Sequence, residues 1–162
     1  TATNFTQSVN AGKTRHRGVE AGLGAPLAQQ FRVDVALSYA KHTYEQWVTS
    51  GGDFSGKEME SAPRVIGNSR LSWVPMTGAR IQFEWVRLGS YWMDAANTTK
   101  YPGHDLFNLR ANWPFARNLS GFASINNLAD KRYADSASIS SSTPVYSPGL
   151  PRAFYAGLEA KW

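Results

Sequence analysis

The chain has 162 residues, enough for one domain with a core of its own. Lys and Arg outnumber Asp and Glu by 17 to 12, and the resulting formal charge of +5 suits an anionic partner, whether nucleic acid, lipid headgroups or a small anion. Cysteine is absent, which excludes a disulfide framework, a thiolate nucleophile and a Cys-based zinc site. No run of 18 apolar residues occurs, which excludes a transmembrane helix but not transmembrane strands.

The first residues, TATNFTQSVN, have neither a basic start nor an apolar core, so no secretion signal is read there. They leave room for a strand over Thr1 to Val9, and the chain reads as a processed product or a piece of something longer. The basic cluster KTRHRG (Lys13 to Gly18) follows. From it runs the apolar set Val19/Ala21/Leu23/Ala25, with Arg15 and Arg17 on the same face, as expected of side chains snorkelling toward headgroups. After a break at Pro26, Phe31 to Tyr39 alternates strictly: Phe31, Val33, Val35, Leu37 and Tyr39 against Arg32, Asp34, Ala36 and Ser38. Period two is the period of a strand. The same pattern returns in Leu71/Trp73, Ile81/Phe83/Trp85, Phe107/Leu109/Ala111/Trp113, Leu119/Ala123/Ile125 and the closing Phe154/Ala156/Leu158/Ala160/Trp162.

Two kinds of break alternate between these runs. Short ones carry Pro26, Pro75 and Pro114; long polar ones span Val48 to Pro63, Met93 to Pro102 and Leu128 to Pro151. Short turns at one end of an antiparallel meander and long loops at the other are the pattern of an outer-membrane barrel. A soluble sandwich alternates too. Aromatics at strand ends favour the membrane: Trp73, Trp113 and Phe115 by the short turns, and Tyr39, Tyr91 and Trp92 by the long loops, resemble two interfacial girdles. The expected fold is all-β, an antiparallel transmembrane β-barrel segment of seven or eight strands. Seven strands leave two open edges, which lipid does not tolerate, so the segment is expected to belong to a larger barrel. An eight-strand reading would close as a self-contained small barrel, and a soluble all-β binding module is the other alternative.

The segment INNLADKRYAD, followed by YSPGLPRAFYAGLEAKW, resembles the C-terminal end of TonB-dependent outer-membrane receptors, and VNAGKTRHRGVEAGL resembles an upstream strand of the same family. The matched residues are Asn127, Leu128, Asp130, Lys131 and Tyr133, then Gly149, Pro151, Arg152, Phe154 and Trp162. The resemblance implies a 22-stranded barrel plugged by an N-terminal domain, which imports scarce ligands, most often ferric siderophores, with energy transmitted by TonB. Residues 1–162 would be the C-terminal part of that barrel in a Gram-negative outer membrane, with a periplasmic C-terminus. The plug and TonB box have no counterpart here, so TonB would act only indirectly. Phe154, Leu158 and Trp162 would carry the signal read by the barrel-assembly machinery, with Trp162 standing where the family more often has Phe.

No HExxH, G-x-S-x-G or phosphate-loop spacing occurs, and His16, His42 and His104 are far apart in sequence, so neither an enzyme, a metal site nor a cofactor is expected. The partners expected are membrane lipid, the remaining barrel with its plug, and an anionic iron chelate, not nucleic acid. Such a chelate wants cations and aromatic faces. His42, Tyr44, Trp47, Arg64, Trp92, His104, Arg132 and Tyr146 offer these from the loops and upper strand ends.

Overall fold

The computed structural model describes residues 12–162, so the possible strand over Thr1 to Val9 lies outside the described residues. Seven strands form one antiparallel sheet: β1 (Lys13–Ala28), β2 (Phe31–Gln46), β5 (Val65–Trp73), β6 (Arg80–Leu88), β9 (His104–Ala116), β10 (Leu119–Asn126) and β13 (Ala153–Ala160). Each pairs with its neighbour in that order. Among the described residues the sheet is open, with β1 and β13 as its edges. The self-contained small barrel would require those two to meet.

Register settles the faces. Val19 opposes Tyr39, Leu23 opposes Val35, Val33 opposes Leu71, Leu71 opposes Phe83, Phe83 opposes Leu109, Leu109 opposes Ile125, and Ile125 opposes Phe154. Directly opposed residues share a face, so one apolar surface crosses all seven strands. It is not covered: Val19 is 71% exposed, Leu23 64% and Leu158 74%. The other face carries Glu20, Asp34, Asn68, Arg70, Glu84, Asn108 and Arg110. There Glu84 accepts hydrogen bonds from Asn68 and Asn108, both at 3.0 Å, with Arg110 at 3.9 Å. A soluble sandwich would bury the first face and wet the second; this sheet leaves its apolar face bare, as a lipid-facing wall does.

The short connections all lie at one end. Gln30 ties two of them together, receiving the Trp73 indole N–H at 3.1 Å while its own amide reaches the Pro75 carbonyl at 3.2 Å. Phe31 stacks on Trp73, 6.2 Å between ring centres. Pro26 and Pro114 fall inside β1 and β9 rather than in the turns. Both sit beside register irregularities, Pro26/Ala28 in β1 and Leu119/Ser120 opposite Pro114, where a missing N–H breaks no ladder bond.

At the other end the long breaks contain paired strands of their own: β3 (Val48–Thr49) with β4 (Gly52–Asp53), β7 (Tyr91–Trp92) with β8 (Lys100–Tyr101), and β11 (Ala134–Ser140) with β12 (Thr143–Pro148). Polar, serine-rich sequence hides these ribbons because nothing in them needs a continuous apolar face. The buried apolar cluster is here too, built from Tyr91, Met93, Tyr101, Ala134 and Ala137 with Leu88 and Ile139 against it. Tyr91, expected in a girdle, is only 6% exposed. Its hydroxyl accepts the Ala137 N–H at 2.8 Å, so it joins two loops instead of meeting lipid.

Candidate ligand-binding end

The segment that follows β10 turns back through two residues with left-handed backbone, Asn127 (φ 53°) and Asp130 (φ 51°), a conformation Asn and Asp tolerate better than most. Asn127 is 4% exposed and acts as a clasp. Its amide donates to the Lys131 carbonyl at 2.9 Å and the Leu150 carbonyl at 3.2 Å, and its side-chain oxygen accepts the Lys131 N–H at 2.8 Å. Asp130 accepts the Arg152 N–H at 3.0 Å. Leu128 donates its N–H to the Phe107 carbonyl at 2.7 Å, and Gly149 to the Tyr133 carbonyl at 2.9 Å. Asn127, Asp130 and Tyr133 of the first family-like group therefore meet the stretch 149–152 and fix how the chain enters β13, while Trp162 lies beyond the other end of that strand. Their work is architectural.

Beside the clasp, His104 is buried, its Nδ1 2.8 Å from the Tyr101 hydroxyl and its ring 4.5 Å from that of Tyr133. Asp105 points to the other face, accepting from the Trp85 indole at 2.9 Å and from Arg87 at 2.5 Å. Next to His104 a cavity of about 470 Å³ is lined by Tyr101, Lys131, Arg132, Tyr133 and Tyr146. Two cations and three phenol rings around one space can hold an anion that has aromatic or apolar parts.

A second cavity, of about 430 Å³, brings Arg64 and Trp92 together with Tyr39, Arg87 and Lys100. Tyr39, Val65 and Arg87 belong to the apolar-face set by register, so this cavity sits at the upper rim of that face. Its cations are already engaged. Arg64 grips Glu58 with two nitrogens, Arg87 holds Asp105, and the Lys100 ammonium lies 5.0 Å from the centre of the Trp92 ring. The hydrogen bond from Arg64 holds the Glu58 carboxyl below its ordinary range, against the opposing effect of partial burial. Asn97 locks the same loop, accepting the Glu58 N–H at 2.9 Å and donating to the Glu58 carbonyl at 2.8 Å.

The eight residues expected to meet ligand thus divide. Arg132 and Tyr146 share the first cavity, with His104 beside it; Arg64 and Trp92 share the second. Tyr44 is buried and stacks on Trp47 at 4.9 Å, which makes that pair loop packing. His42 faces His16 across β1 and β2. The sequence reading missed Lys131, Tyr101 and Tyr133 as cavity walls, since only the folded loops bring them beside Tyr146.

An open antiparallel meander with one bare apolar face, short turns at one end and structured loops at the other defines a wall segment of a transmembrane β-barrel. A family model described as TonB dependent receptor-like, beta-barrel matches residues 1–128, and the chain belongs to this family of outer-membrane barrels. Solved structures share the fold over most of the chain. The ferric yersiniabactin uptake receptor FyuA from Yersinia pestis superposes on 93% of the chain with a TM-score of 0.77 and 17% identity. The siderophore receptor PiuA from Acinetobacter baumannii covers 90% at 0.74 and 19%, and BauA, the ferric preacinetobactin receptor of the same organism, covers 93% at 0.73 and 20%. The chain spans 24%, 22% and 22% of these three structures, respectively.

Proposed function

We propose that this chain is the C-terminal part of a TonB-dependent receptor barrel that takes up a ferric siderophore or a similar anionic chelate. The observation that carries the reading is the cavity at the long-loop end, where Lys131 and Arg132 stand among Tyr101, Tyr133 and Tyr146. Iron chelates built from carboxylates or catecholates are anionic, and the catecholates are aromatic as well; cations set among phenol rings suit both properties. In this reading the plug domain and TonB box belong to other parts of the receptor, with TonB acting through the plug. The inward Glu84, Arg110, Glu159 and Lys161 face the plug, the bare apolar face meets lipid, the C-terminus is periplasmic, and Phe154, Leu158 and Trp162 are read by the assembly machinery.

The test is uptake of radiolabelled iron by cells in which the full-length receptor gene has been deleted and restored, using ferric citrate and a ferric catecholate as probes. Restoration of uptake by wild type, and its reduction at equal surface abundance by Arg132→Ala with Tyr146→Ala, is the expected result. Unchanged uptake of both probes on deleting the receptor would reject ferric chelates as the cargo.

A further inference from the structure

Three residues beyond Tyr39, the last β2 residue paired to β5, the β1–β2 ribbon carries a side-chain pair that the reading above leaves unused. His16 and His42 are direct cross-strand partners, and their Nδ1 atoms lie 2.7 Å apart. We propose that this pair is a binding site for a divalent transition-metal ion, with Cu(II) the best fit.

Geometry supports chelation. Two imidazole nitrogens each about 2.0–2.1 Å from one ion and at right angles are about 2.9 Å apart, so the observed spacing fits and each ring has only to turn its Nδ1 lone pair off the Nδ1–Nδ1 line toward the ion. The ring centres are 4.9 Å apart with the planes inclined by 58°, and the 2.7 Å contact puts both Nδ1 atoms on one gap. The backbone is fixed on both sides: the two residues are in the ladder, and the His42 carbonyl also accepts the Met59 N–H at 3.0 Å. A site on paired strands is better held than one on a loop.

The protons balance. With both rings neutral, one N–H occupies the gap between the two Nδ1 atoms. When the ion enters, that proton moves to Nε2 of the same ring, both Nδ1 lone pairs face the ion, and no net proton is released. On His16 the Nε2–H then has an acceptor, the Thr14 hydroxyl 3.1 Å away, the kind of outer partner that orients a metal-bound imidazole. Nearby cations do not oppose the site. Arg15, Arg17 and Lys41 leave the ladder on the opposite face, and Glu45 engages both Lys13 and Arg15.

Among the described residues no group of three or more His, Cys, Asp or Glu side chains converges, so the ion keeps water in its other positions. Two nitrogens with open positions in a plane suit Cu(II) most, then Ni(II), and offer nothing to Mg(II) or Ca(II).

The experiment uses the full-length receptor in detergent, titrated with Cu(II) alone and with Mg(II) as comparison. Wild type should give an electron paramagnetic resonance spectrum with two nitrogen couplings. His16→Gln and His42→Gln should each weaken the binding roughly tenfold or more and remove one coupling. A spectrum and affinity unchanged in the double variant would overturn the site. Wild type alone gives a second measurement: Cu(II) should protect His16 and His42 from acylation by diethyl pyrocarbonate, read by mass spectrometry, and equal modification with and without Cu(II) would equally overturn it.

Discussion

Gly149 lies so close to the Tyr133 ring that a β-carbon on it would stand 2.2 Å from Cε2 and Cζ. Glycine here is a packing requirement, because the left-handed backbone seen at Gly78 and Gly103 is absent at this position. Gly149→Ala should displace the ring and destabilise the clasp by about 1–3 kcal/mol. Thermal melting of the folded receptor checks this, and Tyr133→Ala in the same chain should recover most of the loss. No recovery would mean that the ring is not the obstacle.

Asn127 holds two carbonyls and one N–H while in left-handed backbone. Asn127→Gly keeps the backbone freedom and removes only the side-chain bonds, leaving buried polar groups unmatched at about 1–3 kcal/mol. Asn127→Ala should cost more than Asn127→Gly, since it adds strain at φ 53°. Equal melting temperatures for the two variants would show that the hydrogen bonds alone set the loss.

Val35 is on the bare apolar face and Ser38 on the polar one, where its hydroxyl reaches Glu20 at 3.4 Å. Val35→Arg places a charge against mid-bilayer lipid at about 2–4 kcal/mol, whereas Ser38→Arg gains a neighbour of opposite sign. The yields of folded receptor in outer membranes should separate the two variants, and equal yields would overturn the assignment of faces.

Trp162 is fully exposed at the end of the chain. Simple anchoring of one amphipathic ring is worth roughly 1.5–3 kcal/mol, a loss a large barrel survives. A residue recognised during insertion behaves differently: Trp162→Ser should leave unassembled receptor in the periplasm or lose it to proteases, and Trp162→Phe should insert. Heat-modifiable mobility of the outer-membrane fraction distinguishes these cases, and normal insertion of the Ser variant would make Trp162 an ordinary interfacial aromatic.

The Glu58–Arg64 contact predicts a pH response confined to the loop. Its hydrogen bond lowers the carboxyl pKa in the folded loop, so its stabilisation is complete above the ordinary glutamate value, about 4.3, and is lost as pH falls through the lower folded value. Protection from hydrogen exchange at 54–64, relative to the intrinsic rate at each pH, should therefore fall below about pH 4 in wild type. In Glu58→Gln the lower protection should already be present at neutral pH, with no further dependence from this group.

Much of the wall was legible because one lipid face and one wet face impose period two, and in Phe31 to Tyr39 only the small Ala36 departs from it. The clasp was legible as a pattern but not as an object, since Asn127 and Leu150 are brought together only by a loop whose own strands, β11 and β12, lack an apolar rhythm. Tyr91 shows the limit most clearly. An aromatic at a strand end reads as interfacial, and whether it turns to lipid or into the loop cluster depends on Ala137, 46 positions later. The His16–His42 pair needed the register, which sequence spacing does not supply.

The height of the apolar wall also sets the membrane it fits. From Phe31 to Tyr39 the lipid-facing row of β2 runs about 27 Å along the strand, and at the tilt usual in such barrels, about 40°, this is about 21 Å of bilayer thickness. Above it, on the same face, stand Lys41 and Arg17, and below it is the turn at Gln29 and Gln30. The segment therefore matches a thin hydrocarbon layer. In reconstituted bilayers of increasing acyl length it would pull the lipid inward around itself, at a fraction of a kcal/mol for each ångström of mismatch.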